Sequence, residues 1–221
     1  MTAKPARGRP RAYDPEEALT AALGEFQRRG YTATSLDHLS DATKMARPSL
    51  YAAFGNKLEI YRKAVRQYAD ESAERRRRAL FEEPSLDKGL EAYFEEIVAA
   101  YVSKEGEPLG CPVLSVISGE AAADPEIGAE LSAAVGRTDA QFLKRMTMAA
   151  EAGEIAPGAD VRGLAAMLAA LQHSLALRAR AGTPRPELQA IARAHVALVL
   201  RAAGRWGRET ATEKTAGDAS Q

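Results

Sequence analysis

The sequence predicts an all-α chain in two parts: an N-terminal three-helix unit carrying a helix-turn-helix, and a C-terminal helical bundle. Three observations carry this expectation. Apolar residues recur at three- and four-residue spacing almost throughout, with no sustained strand alternation. Proline, glycine, aspartate and serine fall where helices would start and stop. Charge also divides the chain. Residues 1–80 hold 16 Lys and Arg against 10 Asp and Glu, a net of +6, while residues 81–221 hold 14 against 20, a net of −6. One reading is a basic module for a polyanion joined to an acidic body; the other is chance clustering, helped by the Arg75–Arg78 run.

Each element follows from local signals. Asp14 and Pro15 suit an N-cap and a first helical position, and Ala18, Leu19, Ala22, Leu23 and Phe26 repeat until Gly30 stops the helix. A second, short helix runs from Ser35 to Ala42, capped by Thr34 or Ser35, with Leu36 and Leu39 turned inward. A third starts near Arg47–Pro48, because proline is tolerated in a first turn, and ends by Gly55–Asn56. A long fourth helix runs from Lys57 into the arginine cluster. Leu86, Leu90, Tyr93, Phe94, Ile97 and Tyr101 mark the next, followed by a break at 106–112 and an apolar helix over 113–123. Asp124–Pro125 opens a helix reaching about Ala152. The last two helices are expected at roughly 160–181 and 186–206, and the tail from 208 to 221 reads as disordered.

Composition narrows the class. With 46% hydrophobic and 27% charged residues, the chain matches ordinary globular proteins. The single cysteine, Cys111, excludes an internal disulfide and a multi-cysteine metal site. Charge and proline follow the N-terminus where a secretory signal needs an apolar run, and no apolar run reaches the ~20 residues of a membrane helix. A soluble, cytoplasmic protein without membrane contact is expected. No Ser/His/Asp arrangement, phosphate-cradling glycine loop or metal-ligand spacing occurs, so no catalytic residues, metal or cofactor are expected.

Two short helices joined by a tight turn and set on a third form a unit that lays its second short helix in the major groove of duplex DNA. The helix-turn-helix falls at about 35–54. Within RPSLYAAF, Leu50 and Phe54 are spaced for a core, leaving Arg47, Ser49, Tyr51 and Ala53 to face outward. Residues 13–61 resemble the N-terminal domain of TetR-family transcriptional regulators, through FQRRGY, TSLDHLSDA and RPSLYAAFGNK in that order. The rest resembles that family's ligand-binding and dimerisation domain only in length and helix count. Domains are accordingly expected at 1–12 (a basic flexible arm), 13–60 (DNA binding), 61–207 (effector binding and dimerisation) and 208–221.

The resemblance implies contacts position by position. Arg47, Pro48, Ser49 and Ala53 fall where the recognition helix meets base edges, and arginine can pair bidentately with guanine. Tyr51 falls where a tyrosine hydroxyl meets a phosphate. Lys57, and Thr34 or Ser35, supply charge or N–H groups to other phosphates. Two positions depart from the family pattern: Lys44 stands where the turn usually has glycine, and Ala46 where a capping serine is usual. Lys44 can offset its cost by reaching a phosphate. Arg7, Arg9 and Arg11 can enter an A·T-rich minor groove, or form a tail that adds only salt-sensitive affinity.

The remaining candidates carry two readings each. Tyr93, Phe94, Ile97, Tyr101, Cys111, Leu114, Met146, Met167 and His173 can line an effector cavity or simply fill the core. Cys111 is a redox sensor or a buried small residue. His38 sits where it can touch the DNA backbone. The resemblance implies a homodimer on a palindromic operator, a repressor released by a small apolar ligand; the alternative is a regulator switched by Cys111 redox chemistry or by a protein partner.

Overall fold

The computed structural model describes residues 13–103 and 105–204, apart from the side chains of residues 72 and 73. The arm with Arg7, Arg9 and Arg11 and the tail from 208 lie outside the described residues. The elements described are α1 (Pro15–Arg29), α2 (Leu36–Thr43), α3 (Arg47–Phe54), α4 (Lys57–Arg77), α5 (Leu86–Tyr101), α6 (Leu114–Ile117), α7 (Pro125–Glu151), α8 (Val161–Arg180) and α9 (Arg185–Ala202). Among the described residues there is no strand, only an isolated bridge between Val102 and Pro108. No described helix is long and apolar enough to cross a membrane.

The chain divides into two compact units between Ala69 and Asp70, inside α4 and further along than the boundary expected at residue 60. The first half of α4 belongs to the N-terminal unit because it packs there. Ile60, Tyr61 and Ala64 are buried, and the Gln67 amide donates to the Glu16 carbonyl and the Thr20 hydroxyl, both at 3.0 Å. Phe26, Tyr31 and Tyr61 meet ring to ring at 5.3–5.9 Å, an arrangement that adds to plain area burial.

In the C-terminal unit one apolar core joins α5, α7, α8 and α9, built from residues such as Leu90, Phe94, Phe142, Leu168, Leu175 and Val196. A π-helical turn, Arg78–Glu82, leads from α4 towards α5 and buries Leu80 completely. Gly89 on α5 lies so close to this turn that a Cβ there would stand 3.1 Å from the Ala79 carbonyl. The arginine cluster is largely paired: Arg77 with Glu74 and Glu82, Arg78 with Glu74, and Arg75 with Glu96 on α5.

One helix is shorter than the sequence predicts. Instead of spanning 113–123, α6 is a single turn, and the bonds after it step back three residues, from Glu120 N to Ile117 O and Ala123 N to Glu120 O. Ser118 and Gly119, poor helix formers, interrupt the apolar run. Asp124 then restarts the chain, its carboxylate accepting from Glu126 N at 2.9 Å at the head of α7.

Candidate nucleic-acid interface

The N-terminal unit presents its two short helices on a fixed frame. Ser35 caps α2: its hydroxyl accepts from His38 N at 3.1 Å, while His38 Nδ1 accepts from Ser35 N at 3.2 Å. This is a capping box in which histidine takes the place of the usual Glu or Gln. His38 is thereby held in the cap. Thr34, the other expected cap and phosphate contact, is fully buried and donates its hydroxyl to the Gly30 carbonyl at 2.7 Å. It braces the loop from inside, so Ser35 is the residue left at the surface there.

The turn between α2 and α3 is strained where its sequence departs from the family pattern. Lys44 adopts φ 57°, ψ 24°, and is the one non-glycine residue at positive φ among the described residues. Ala46 heads α3 without any side-chain cap. Other groups hold the turn: Met45 is buried, and the Ser40 hydroxyl donates to the Met45 carbonyl at 2.5 Å. At the far end of α3, Gly55 (φ 90°) closes the helix and Lys63 donates to the Phe54 carbonyl at 2.9 Å. Asn56 and Glu59 then cap one another reciprocally at the start of α4, at 2.7 and 3.0 Å.

Leu50 and Phe54 anchor α3 in the core, and this sets its outer face. Arg47, Pro48, Ser49, Tyr51 and Ala52 are exposed, Tyr51 by 49%, whereas Ala53 is half-buried. Ala52 is therefore an outward position that spacing from the motif alone passed over. Tyr51, midway along α3, presents its ring to water beside Arg47, Pro48 and Ser49. One contact ties the head of α3 to that of α2, and another ties the head of α4 to the loop between α1 and α2. The Arg47 guanidinium pairs with the Asp37 carboxylate. Lys57 Nζ lies 4.5 Å from the centre of the Tyr31 ring and 3.3 Å from the Thr32 carbonyl. Arg47 and Lys57 thus stand at the N-termini of α3 and α4, where helix dipole and cation together suit an anion such as phosphate.

The family models match both units. Residues 18–64 match the bacterial regulatory proteins of the tetR family, and residues 88–195 the tetracyclin repressor-like C-terminal domain. The transcriptional repressor ComR of Escherichia coli is 32% identical over 190 residues, which cover 86% of this chain and 90% of ComR. The chain belongs to the TetR family. A solved structure of a cysteine-substituted CifR, a TetR-family transcriptional regulator in complex with a 26-bp double-stranded operator DNA, is 33% identical, covers 85% of this chain and 98% of its own, and superposes with a TM-score of 0.78. The E. coli repressor BdcR is 33% identical over 110 residues, half of this chain and 55% of its own.

Within this TetR-family chain, the candidate effector residues of the C-terminal unit separate. Tyr93, Phe94, Ile97, Tyr101 and Met146 are buried in the core, with Cys111 and Leu114 packed against it. Met167 instead stands half-exposed on α8, and His173 is partly buried. Three polar side chains interrupt the apolar interior: the Tyr93 hydroxyl donates to Gln172 Oε1 at 2.8 Å and accepts from the Gln141 amide. Spacing could not single out Gln141 and Gln172, which lie on different helices from Tyr93. A cavity of about 70 Å³ opens between α5 and α9; of the expected set, Phe94 lines it, beside Glu91, Gln189 and Arg193. Its volume is far below the ~300 Å³ of a typical ligand pocket.

Proposed function

We propose that this TetR-family protein is a homodimeric, sequence-specific repressor that reads a palindromic operator with α3 and releases it when a small apolar ligand enters the C-terminal unit. The observation that carries the reading is the outer face of α3. Arg47, Pro48, Ser49 and Tyr51 stand in water while Leu50 and Phe54 lock the helix beneath them. In a groove, Arg47, with Ser49 and the small Ala53 beside it, reads base edges, while Tyr51, Ser35, Lys44 and Lys57 meet phosphates.

Exposed apolar residues on the last two helices support the dimer. Ala166, Met167, Ala170 and Leu177 on α8, and Ala190, Ala194 and Leu198 on α9, recur at helical spacing on surfaces that a single chain leaves in water. Small and leucine side chains of this kind suit close helix packing between two copies. The apolar interior around Tyr93, Phe94, Ile97, Tyr101 and Met146 supports an apolar effector. Because those side chains are packed in the core, such a ligand acts by stabilising a second, more open state, and shifts release only by its preference for that state. A regulator of this kind works in the cytoplasm, where its operator is.

Selection of bound sites from random duplex DNA tests the proposal. A single enriched palindrome is expected, bound as a dimer with half-sites separated by whole helical turns. Failure to enrich any sequence, with affinity governed by salt alone, would overturn it.

A further inference from the structure

We infer that Asp37 is a positioning residue for Arg47, and that the pair, rather than Arg47 alone, sets base selectivity where Arg47 reads the operator. The inference rests on α3 being the recognition helix. Asp37 lies in the first turn of α2, ten residues before Arg47 and across the turn from it, and its Oδ1 accepts a hydrogen bond from Arg47 Nη2. Both side chains are exposed, Asp37 by 60% and Arg47 by 55%, so neither pairs for want of water.

Two consequences follow from the chemistry. A guanidinium has five N–H donors; Asp37 engages one, and the four that remain exceed the two required by guanine O6 and N7. The carboxylate therefore holds the fork without using up its base-reading edge. An arginine without such a partner explores many rotamers and finds a phosphate as readily as a base. The carboxylate also offsets the arginine's charge, so Arg47 adds little to sequence-independent attraction. An acid on a face that meets a polyanion weakens binding to every sequence. It is useful there if it weakens the wrong sequences more.

The test uses the full-length protein and the palindrome selected by the wild type. Affinities of wild type, D37A, D37N, D37E, R47A and the D37A/R47A double variant are measured on that duplex, on duplexes substituted at each position in turn, and on unselected duplex, over a range of salt. D37A is expected to lose about tenfold in discrimination at the one position that R47A also affects, to keep selectivity elsewhere, and to bind unselected duplex more tightly. Its salt slope should steepen by about one counterion. D37N should shift in the same direction by less, which guards against misfolding of the alanine variant, and D37E should restore selectivity. In the R47A background D37A should change selectivity no further. An equal change in affinity for all duplexes, with selectivity intact, would overturn the inference and leave Asp37 as a helix-end charge. Failure of the wild type to select any site would instead overturn the recognition-helix reading itself.

Discussion

Arg145 and Glu154 form an ion pair at 3.3 Å in which the arginine side chain is only 4% exposed and the glutamate 17%. The other glutamate oxygen accepts from Leu86 N at 2.7 Å. Glu154, beyond the end of α7, thus closes the head of α5, a role that the Ser85 side chain does not fill. Removing one partner leaves the other charge buried without compensation, which typically costs 3–5 kcal/mol. Glu154→Ala is therefore expected to destabilise the protein by about that amount, measured by urea unfolding at fixed protein concentration. A loss under about 1 kcal/mol, the worth of a surface pair, would show that water reaches the arginine.

The strained turn makes a prediction of opposite sign. Lys44 holds a left-handed conformation that costs a non-glycine residue roughly 1–2 kcal/mol, part of which glycine's greater unfolded-state freedom takes back. Lys44→Gly should raise stability by about 1 kcal/mol, and Ala46→Ser, which supplies the missing cap of α3, by about as much. If Lys44 also meets a phosphate, the first variant binds DNA more weakly while melting higher. Unchanged melting in both variants would count against the backbone argument.

Readers of bases and holders of phosphates should separate in binding experiments. Arg47→Ala is expected to cost about 1–3 kcal/mol on the selected operator and little on random duplex. Tyr51→Phe should weaken both alike, because the hydroxyl proposed to meet a phosphate carries no sequence information. The reverse pattern would exchange the two roles.

Cys111 is partly buried and packs against the core of the C-terminal unit. Burial pushes the Cys111 thiol up, against hydrogen bonds from the Leu114 and Val113 backbone and from Tyr101, which favour the thiolate but do not prevail. Since the thiolate is the reactive form, alkylation by iodoacetamide at neutral pH should be slower in the native protein than in urea. Equal rates would favour the redox-switched alternative.

A pH dependence is expected from His173. Partial burial lowers its pKa below the usual 6.5, with Asp139 pulling weakly the other way. The unfolded chain then takes up the proton first, so protonation favours unfolding; this contribution to stability is complete above about pH 6.5 and is lost as the pH falls through it. Between pH 7.5 and 5.5 the wild type should lose stability that His173→Gln retains, in melts at constant protein concentration. Identical slopes would remove His173 as the cause.

The sequence by itself determined the helices of the N-terminal unit almost to the residue, because their signals are local. Asp14–Pro15, Ser35, Arg47–Pro48 and Gly55–Asn56 act within one turn of where they stand, and the spacing of Leu50 and Phe54 alone decides which face of α3 is inward. It also carried the family, through an ordered motif over nearly fifty residues of the N-terminal unit. What only the tertiary structure decided depends on partners distant in the chain. Thr34 is buried because α1 and its loop close over it, and α4 is divided between two units because its first half packs on α1. The Asp37–Arg47, Tyr93–Gln172 and Arg145–Glu154 pairs each join residues on different elements, where helical periodicity holds no information about register. Local free energies set the elements; the few polar groups that must find one another when those elements pack set the rest.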